Sequence, residues 1–210
     1  MNDQYYTREP QSESRPAPCA FNYRGRPLRF TTDSGVFSKG ELDEGTRLLL
    51  EALPELRGPV LDLGCGWGPI GVSVARCCPE ARVTMADVNL RALSLAKENA
   101  EANGVSCECL ESDGMAALLG RRFACIVTNP PIRAGKQVIY GMFRDAAGCL
   151  EEGGALYLVI RKQQGAESCV KYLRTLYRRV ERLAREDGFW VLEAREPITQ
   201  EEGIDSHDEV

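Results

Sequence analysis

The sequence predicts a doubly wound α/β fold: a mostly parallel sheet with helices on both faces and an antiparallel hairpin at its C-terminal edge. Three observations predict it. From residue 58 onward, short apolar runs alternate with amphipathic ones, and such alternation builds parallel strand–helix–strand units. The first strand runs into Gly64-Cys65-Gly66-Trp67-Gly68, a loop able to turn sharply into a helix. Two late apolar runs flank Asp187-Gly188, a strong hairpin signal.

The elements follow in order. Residues 1–18 are rich in Ser, Glu, Arg and Pro and read as a flexible leader, with a single domain over 19–198. A small hairpin is expected over 22–30 around Arg24-Gly25-Arg26, then a loop over 31–40 with Asp33-Ser34-Gly35 turn chemistry. Leu42, Leu48, Leu49, Ala52 and Leu53 repeat with helical spacing, and Pro54 ends that helix. Strands are expected over 60–63, 82–86, 106–110, 123–128 and 155–160. Helices are expected over 70–77, from a cap at Asn89 to a stop at Asn103-Gly104, over 138–150 and over 169–177. The run at 123–128 is apolar throughout, as in a buried central strand. Strands over 180–184 and 189–194 form the closing hairpin.

Composition narrows the function. No apolar run approaches the roughly 18–20 residues that a membrane span requires, and the N-terminus lacks an apolar signal core, so the reading is cytoplasmic. The nine cysteines are odd in number and do not have zinc-knuckle spacing; they read as small core hydrophobes, with no metal site. The one histidine, His207, lies in an acidic tail over 199–210 that reads as disordered, which excludes histidine-based catalysis. That tail carries Glu201, Glu202, Asp205, Asp208 and Glu209. Removing those five from the 31 acidic residues leaves 26, equal to the 26 Lys and Arg, so the body is neutral.

The site residues follow from the topology. Ligands of such sheets bind beyond the carboxyl ends of the strands, and Asp62, Asp87, Asp113 and Asn129 all fall at or near those ends. The string from Gly66 to Gly71 matches a dinucleotide loop, but Asp62 would repel a pyrophosphate and Pro69 removes a helix-start N–H. An acid there suits an ammonium group, such as the methionine end of S-adenosylmethionine. Asp87 can accept from both ribose hydroxyls, and Asp113 from an adenine amine. In Asn129-Pro130-Pro131-Ile132, the Asn129 side-chain oxygen and the Pro130 carbonyl can each accept one hydrogen of an exocyclic amine. This favours a more tetrahedral nitrogen whose lone pair faces a methyl donor. Two prolines set that geometry in advance. Pro131 and Ile132 would pack on the acceptor base, with Ile132 where an aromatic residue is often seen. Arg133 and Lys136 follow at once and suit phosphate or base contact; a second basic stretch runs from Arg161 to Arg185.

These motifs resemble the class I S-adenosylmethionine-dependent methyltransferases, and within them the small-domain ribosomal RNA guanine-N2 methyltransferases. The resemblance covers about residues 30–195. It rests on Thr32-Asp33-Ser34-Gly35-Val36-Phe37-Ser38, Leu42-Asp43-Glu44-Gly45-Thr46, the glycine loop, Asp87-Val88-Asn89, Asn129-Pro130-Pro131-Ile132-Arg133 and Lys162-Gln163-Gln164-Gly165-Ala166. It implies a Rossmann-like sheet of seven strands. It also implies cofactor contacts from Phe37, Ser38, Asp62, Gly64, Gly66, Asp87, Val88, Asp113, Gly114 and Asn129, with Asn129 and Pro130 holding the target amine. The implied activity is N-methylation of guanine N2 in 16S ribosomal RNA. The implied partner is that RNA or the small subunit, met by a monomer or weak dimer. Asn-Pro-Pro loops also serve adenine-N6 and protein-glutamine methylation, and a non-catalytic RNA or assembly factor is the remaining alternative.

Overall fold

In the computed structural model, which describes residues 7–198, seven strands form one sheet in the order β5-β4-β3-β6-β7-β9-β8. The parallel part is β3 (Gly58–Leu63), β4 (Ala81–Asp87), β5 (Glu108–Glu111), β6 (Phe123–Thr128) and β7 (Leu150–Arg161). β9 (Phe189–Pro197) then inserts antiparallel between β7 and β8 (Tyr177–Glu186). This is the expected architecture. The turn at Asp187-Gly188 has φ of 45° and 81°, the positive pair that a two-residue hairpin needs.

Two apolar layers sandwich the sheet, because alternate residues of each strand point to opposite faces. Val60, Val83, Cys125, Val127, Tyr157 and Val159 face one layer, completed by α1 (Glu44–Ala52), α2 (Pro69–Cys77) and α3 (Leu90–Ala102). Leu61, Leu63, Ile126, Leu156, Leu158 and Ile160 face the other, completed by α4 (Lys136–Ala147) and α5 (Ala166–Leu173). All nine cysteines are free; six are buried and three half-buried.

A separate hairpin, β1 (Ala17–Tyr23) with β2 (Arg26–Thr32), docks on α3. Asn99 and Asn103 lie one turn apart on that helix, a rise of about 6 Å. Arg29 and Thr31 are two residues apart on β2, a similar rise of about 6.8 Å. Each asparagine therefore meets one residue's N–H and C=O: Asn99 accepts from Thr31 N and donates to Thr31 O, and Asn103 does the same with Arg29. The helix face acts as a surrogate strand for the free edge of β2.

Residues 7–16 lie along the loop after β2. Arg91 donates to the carbonyls of Pro10, Ser12 and Ser34, and Leu90 N–H donates to Arg8 O. Gly35, at φ 78°, has Pro10 Cβ only 2.6 Å from where its own Cβ would stand. The expected tail, 199–210, lies outside the described residues.

Several boundaries move. The helix expected over 138–150 is α4, which starts at Lys136 and stops at Ala147, so Leu150 opens β7 opposite Phe123. β7 therefore begins five residues earlier than expected, and Gly153-Gly154 is part of an irregularity inside it. α5 begins at Ala166, directly after the left-handed Gly165 (φ 98°), and Tyr177 belongs to β8. β5 is short because only β4 pairs with it, from Glu108 onward.

Gly71 shows how tightly α2 sits on the sheet. A Cβ there would meet Met85 Cγ at 2.5 Å and Asp62 Oδ2 at 3.1 Å. Gly71→Ala is expected to cost about 1–3 kcal/mol through overpacking. The check is the urea unfolding midpoint; an unchanged midpoint would mean that Met85 yields freely.

Candidate active site

The carboxyl ends of β3, β4 and β6 and the loop after β5 enclose a cavity of about 300 Å³. Ten of the residues expected there line it: Phe37, Gly64, Gly66, Asp87, Val88, Asp113, Gly114, Asn129, Pro130 and Pro131. Gly64 and Gly66 have φ of 72° and 56°, and nothing lies within 4 Å of where their side chains would begin. A ligand can thus approach the backbone. Asp87 fixes this loop: Gly66 N–H donates to one of its oxygens and Asn89 N–H to the other, both at 2.8 Å. Burial raises the Asp87 pKa, opposed by those two N–H groups. Ser112 shapes the loop after β5, donating to Gly114 O and accepting from Ala117 N–H.

Asp62 lies off the cavity wall, buried to 1% exposure against α2. One of its oxygens accepts from Gly71 N–H at 2.8 Å, and the other has no hydrogen-bond partner. Burial pushes this carboxyl up to about 7, and the nearby Asp87 charge adds to the shift. The cavity wall carries two carboxylates, Asp87 and Asp113, and no Lys or Arg. The residues present fit a cationic ligand and oppose a pyrophosphate.

A second cavity of about 360 Å³ opens on the other side of Asn129. Asn129, Pro130 and Phe37 line both. Ser38, Ile132 and Arg133 line the second, with Asp43, Arg161, Gln164 and Phe189. The Arg161 guanidinium stacks over the Phe189 ring, 4.4 Å from its centroid. Phe37 and Phe189 therefore supply the aromatic surface that Ile132 does not. Lys136, expected at this site, lies outside both walls, with its stem near Gly165. Of the rest of the basic stretch, Lys162 follows β7, Lys171 and Arg174 lie on and at the end of α5, and the others are spread along β8, where Arg179 pairs with Glu181 and Arg182 covers Trp190.

Asn129 is held from two sides. Thr128, just before it, ties the end of β6 to β3 by donating to Leu63 O at 2.7 Å. Its own Nδ2 donates to Asp43 Oδ2 at 3.1 Å and to Thr46 Oγ1 at 2.9 Å. Sequence reasoning assigned no role to Asp43, Thr46 or Phe189. A signal existed for the first two: Asp43 precedes a helix as a capping acid, with Thr46 three residues later. Phe189 reaches the site only through the β8–β9 hairpin, and nothing local marks it.

Three comparisons bear on this arrangement. The family model described as "Methyltransferase small domain" matches residues 27–193. The protein YbxB of Bacillus subtilis (strain 168) is 41% identical over 199 residues, covering 93% of this chain and 99% of that protein. Ribosomal RNA small subunit methyltransferase C of Hahella chejuensis is 45% identical over 140 residues, covering 64% of this chain and 41% of the relative. Among solved structures, the T. thermophilus 16S rRNA N2 G1207 methyltransferase, in complex with AdoMet and guanosine, superposes with a TM-score of 0.78. Its identity is 31%, with 88% of this chain and 51% of that one covered. The chain thus spans about half or less of the length of these two ribosomal RNA methyltransferases.

Proposed function

Because this chain belongs to the methyltransferase small domain family, we propose that it transfers a methyl group from S-adenosylmethionine to an exocyclic amine, the N2 amine of a guanine in small-subunit ribosomal RNA. The observation that carries this reading is the change of charge across Asn129. The cavity on one side has two carboxylates and no basic residue, and the one on the other side has Arg133 and Arg161 against the single carboxylate of Asp43. A cationic donor suits the first, and a base within a polyanion suits the second.

The roles follow from position. Gly64 and Gly66 would let the donor's methionine end lie against the backbone. Asp87 would accept from the ribose hydroxyls with the lone pairs that Gly66 and Asn89 leave free. Asp113 and Gly114 would border the adenine. S-adenosylmethionine supplies, when bound, an electrophilic methyl group. Asn129 Oδ1 and the Pro130 carbonyl would each accept one amine hydrogen, so that the nitrogen lone pair points into the first cavity. Phe37 and Phe189 would flank the guanine, and Arg133 and Arg161 would meet the RNA backbone. Support comes from the relatives named as ribosomal RNA methyltransferases and from the solved one in complex with AdoMet and guanosine. The proposed setting is the cytoplasm, where small subunits are found; no helix among the described residues is long and apolar enough to cross a membrane.

The test is transfer of labelled methyl groups to unmodified 16S ribosomal RNA, free and within particles, with nucleosides resolved by mass spectrometry. N2-methylguanosine is expected. Label in N6-methyladenosine or in protein would overturn the substrate, and no label in any fraction would leave a binding factor.

A further inference from the structure

We propose that Asp43 and Thr46 are positioning residues that lock the Asn129 amide with its oxygen toward the acceptor. The inference rests on the reading that Asn129 Oδ1 receives an amine hydrogen. An asparagine amide has two nearly isosteric ends. Flipped by half a turn, Asn129 would aim N–H groups at the incoming amine and repel it. Something must decide which end faces the site.

The hydrogen-bond directions decide it. The Asp43 carboxylate can only accept. The Thr46 hydroxyl has one hydrogen, and the carboxylate of Asp43, a long contact of 3.4 Å from Thr46 Oγ1 to Oδ2, draws it away from Asn129. Its lone pairs are then left for Asn129, whose Nδ2 stands 2.9 Å away. The same Asp43 oxygen accepts the second Nδ2 hydrogen at 3.1 Å. Both amide hydrogens are thus spoken for by groups that cannot donate back. The flipped amide would set Oδ1 against the carboxylate at the same distances. The third member of the triangle fixes Asp43 itself: its Oδ2 also accepts from Thr46 N–H at 2.9 Å, as the N-cap of α1.

The intervening residue fits the same purpose. A Cβ on Gly45 would stand 3.0 Å from Asp43 Oδ2 and 2.8 Å from the Phe189 ring. Gly45 lets the capping carboxylate and the Phe189 wall of the second cavity approach the same point. The string Asp43-Glu44-Gly45-Thr46 is therefore a unit: cap and acceptor, a gap, then the second acceptor. Thr46 borders the first cavity and Asp43 the second, but their side-chain oxygens are engaged with Asn129, and it is through Asn129 that they act.

The experiment compares Thr46→Val, which keeps the shape and loses the acceptor, with Thr46→Ser, which keeps both. Asp43→Ser is the third variant: it retains a helix cap but is too short to reach Asn129. Thr46→Val and Asp43→Ser are expected to lower kcat about a hundredfold, as for a reacting group held out of place. Although both residues border the cavities, the KM for RNA and the affinity for S-adenosylmethionine should change far less than kcat, by less than about tenfold, and Thr46→Ser should retain turnover. In an Asn129→Ala background, Thr46→Val should remove nothing more, because the lock has nothing left to hold. Unchanged kcat in Thr46→Val, or a loss that repeats in full on Asn129→Ala, would overturn the proposal. Should Thr46→Val not fold, Asp43→Ser carries the same test. Full activity of Asn129→Ala would instead bring down the reading of the site on which the lock depends.

Discussion

Asn129→Ala is expected to lower kcat by about a hundredfold to a thousandfold while S-adenosylmethionine binds nearly as before. The two effects separate because they rest on different elements. The polar groups placed to hold the donor come from β3, β4 and the loop after β5, and the truncation leaves them intact. What the truncation removes is one of two preset acceptors for the amine. Single-turnover methyl transfer alongside calorimetric titration of the donor makes the comparison. A parallel loss of affinity and rate would show that Asn129 serves chiefly to hold the donor.

Asp62→Asn is expected to flatten the pH dependence of stability in the ligand-free protein. Burial raises the Asp62 carboxyl to about 7, above the ordinary 3.8 that it regains on unfolding. Its protonated form then contributes stability that is fully present below about pH 4 and is lost as pH rises through about 7. The full shift corresponds to a loss of about 4 kcal/mol, of which roughly 2–3 kcal/mol falls between pH 5 and pH 8, and asparagine cannot ionise, so the variant lacks that slope. Asp87 is shifted in the same sense and is present in both proteins, so the difference reports Asp62 together with its coupling to Asp87. Urea unfolding of both proteins at pH 5 and pH 8 measures it. Parallel profiles would mean that Asp62 is not strained by burial.

Much of this was legible in the sequence, for a physical reason. In a parallel sheet the chain leaves every strand at the same edge, so a polar residue closing an apolar run is placed at the ligand without knowledge of the packing. Asp87, Asp113 and Asn129 were found that way. Asp62 was found as well, but one position inside its strand is enough to take it off the wall and into the core. Residues brought in by long-range packing were not legible: Phe189 and Arg161 form a wall only because β9 pairs beside β7. Gly153-Gly154 misled for another reason. A Cβ on Gly154 would meet Glu151 O at 2.9 Å and Ala124 O at 3.1 Å, so the glycine marks close backbone approach within the strand rather than its start. Leu150 reads as helical by its apolar spacing, yet pairing with Phe123 claims it for the sheet.

The nine cysteines, none of them exposed, make the native protein slow to react with thiol reagents. Reagents attack the thiolate, and burial raises the thiol pKa at Cys107 and Cys169 to about 12. Alkylation of the six buried thiols must therefore wait for the chain to open, and its rate becomes a clock for local unfolding across both apolar layers. Cys65, buried in the glycine loop on the donor side, is the hand of that clock that a bound ligand should stop.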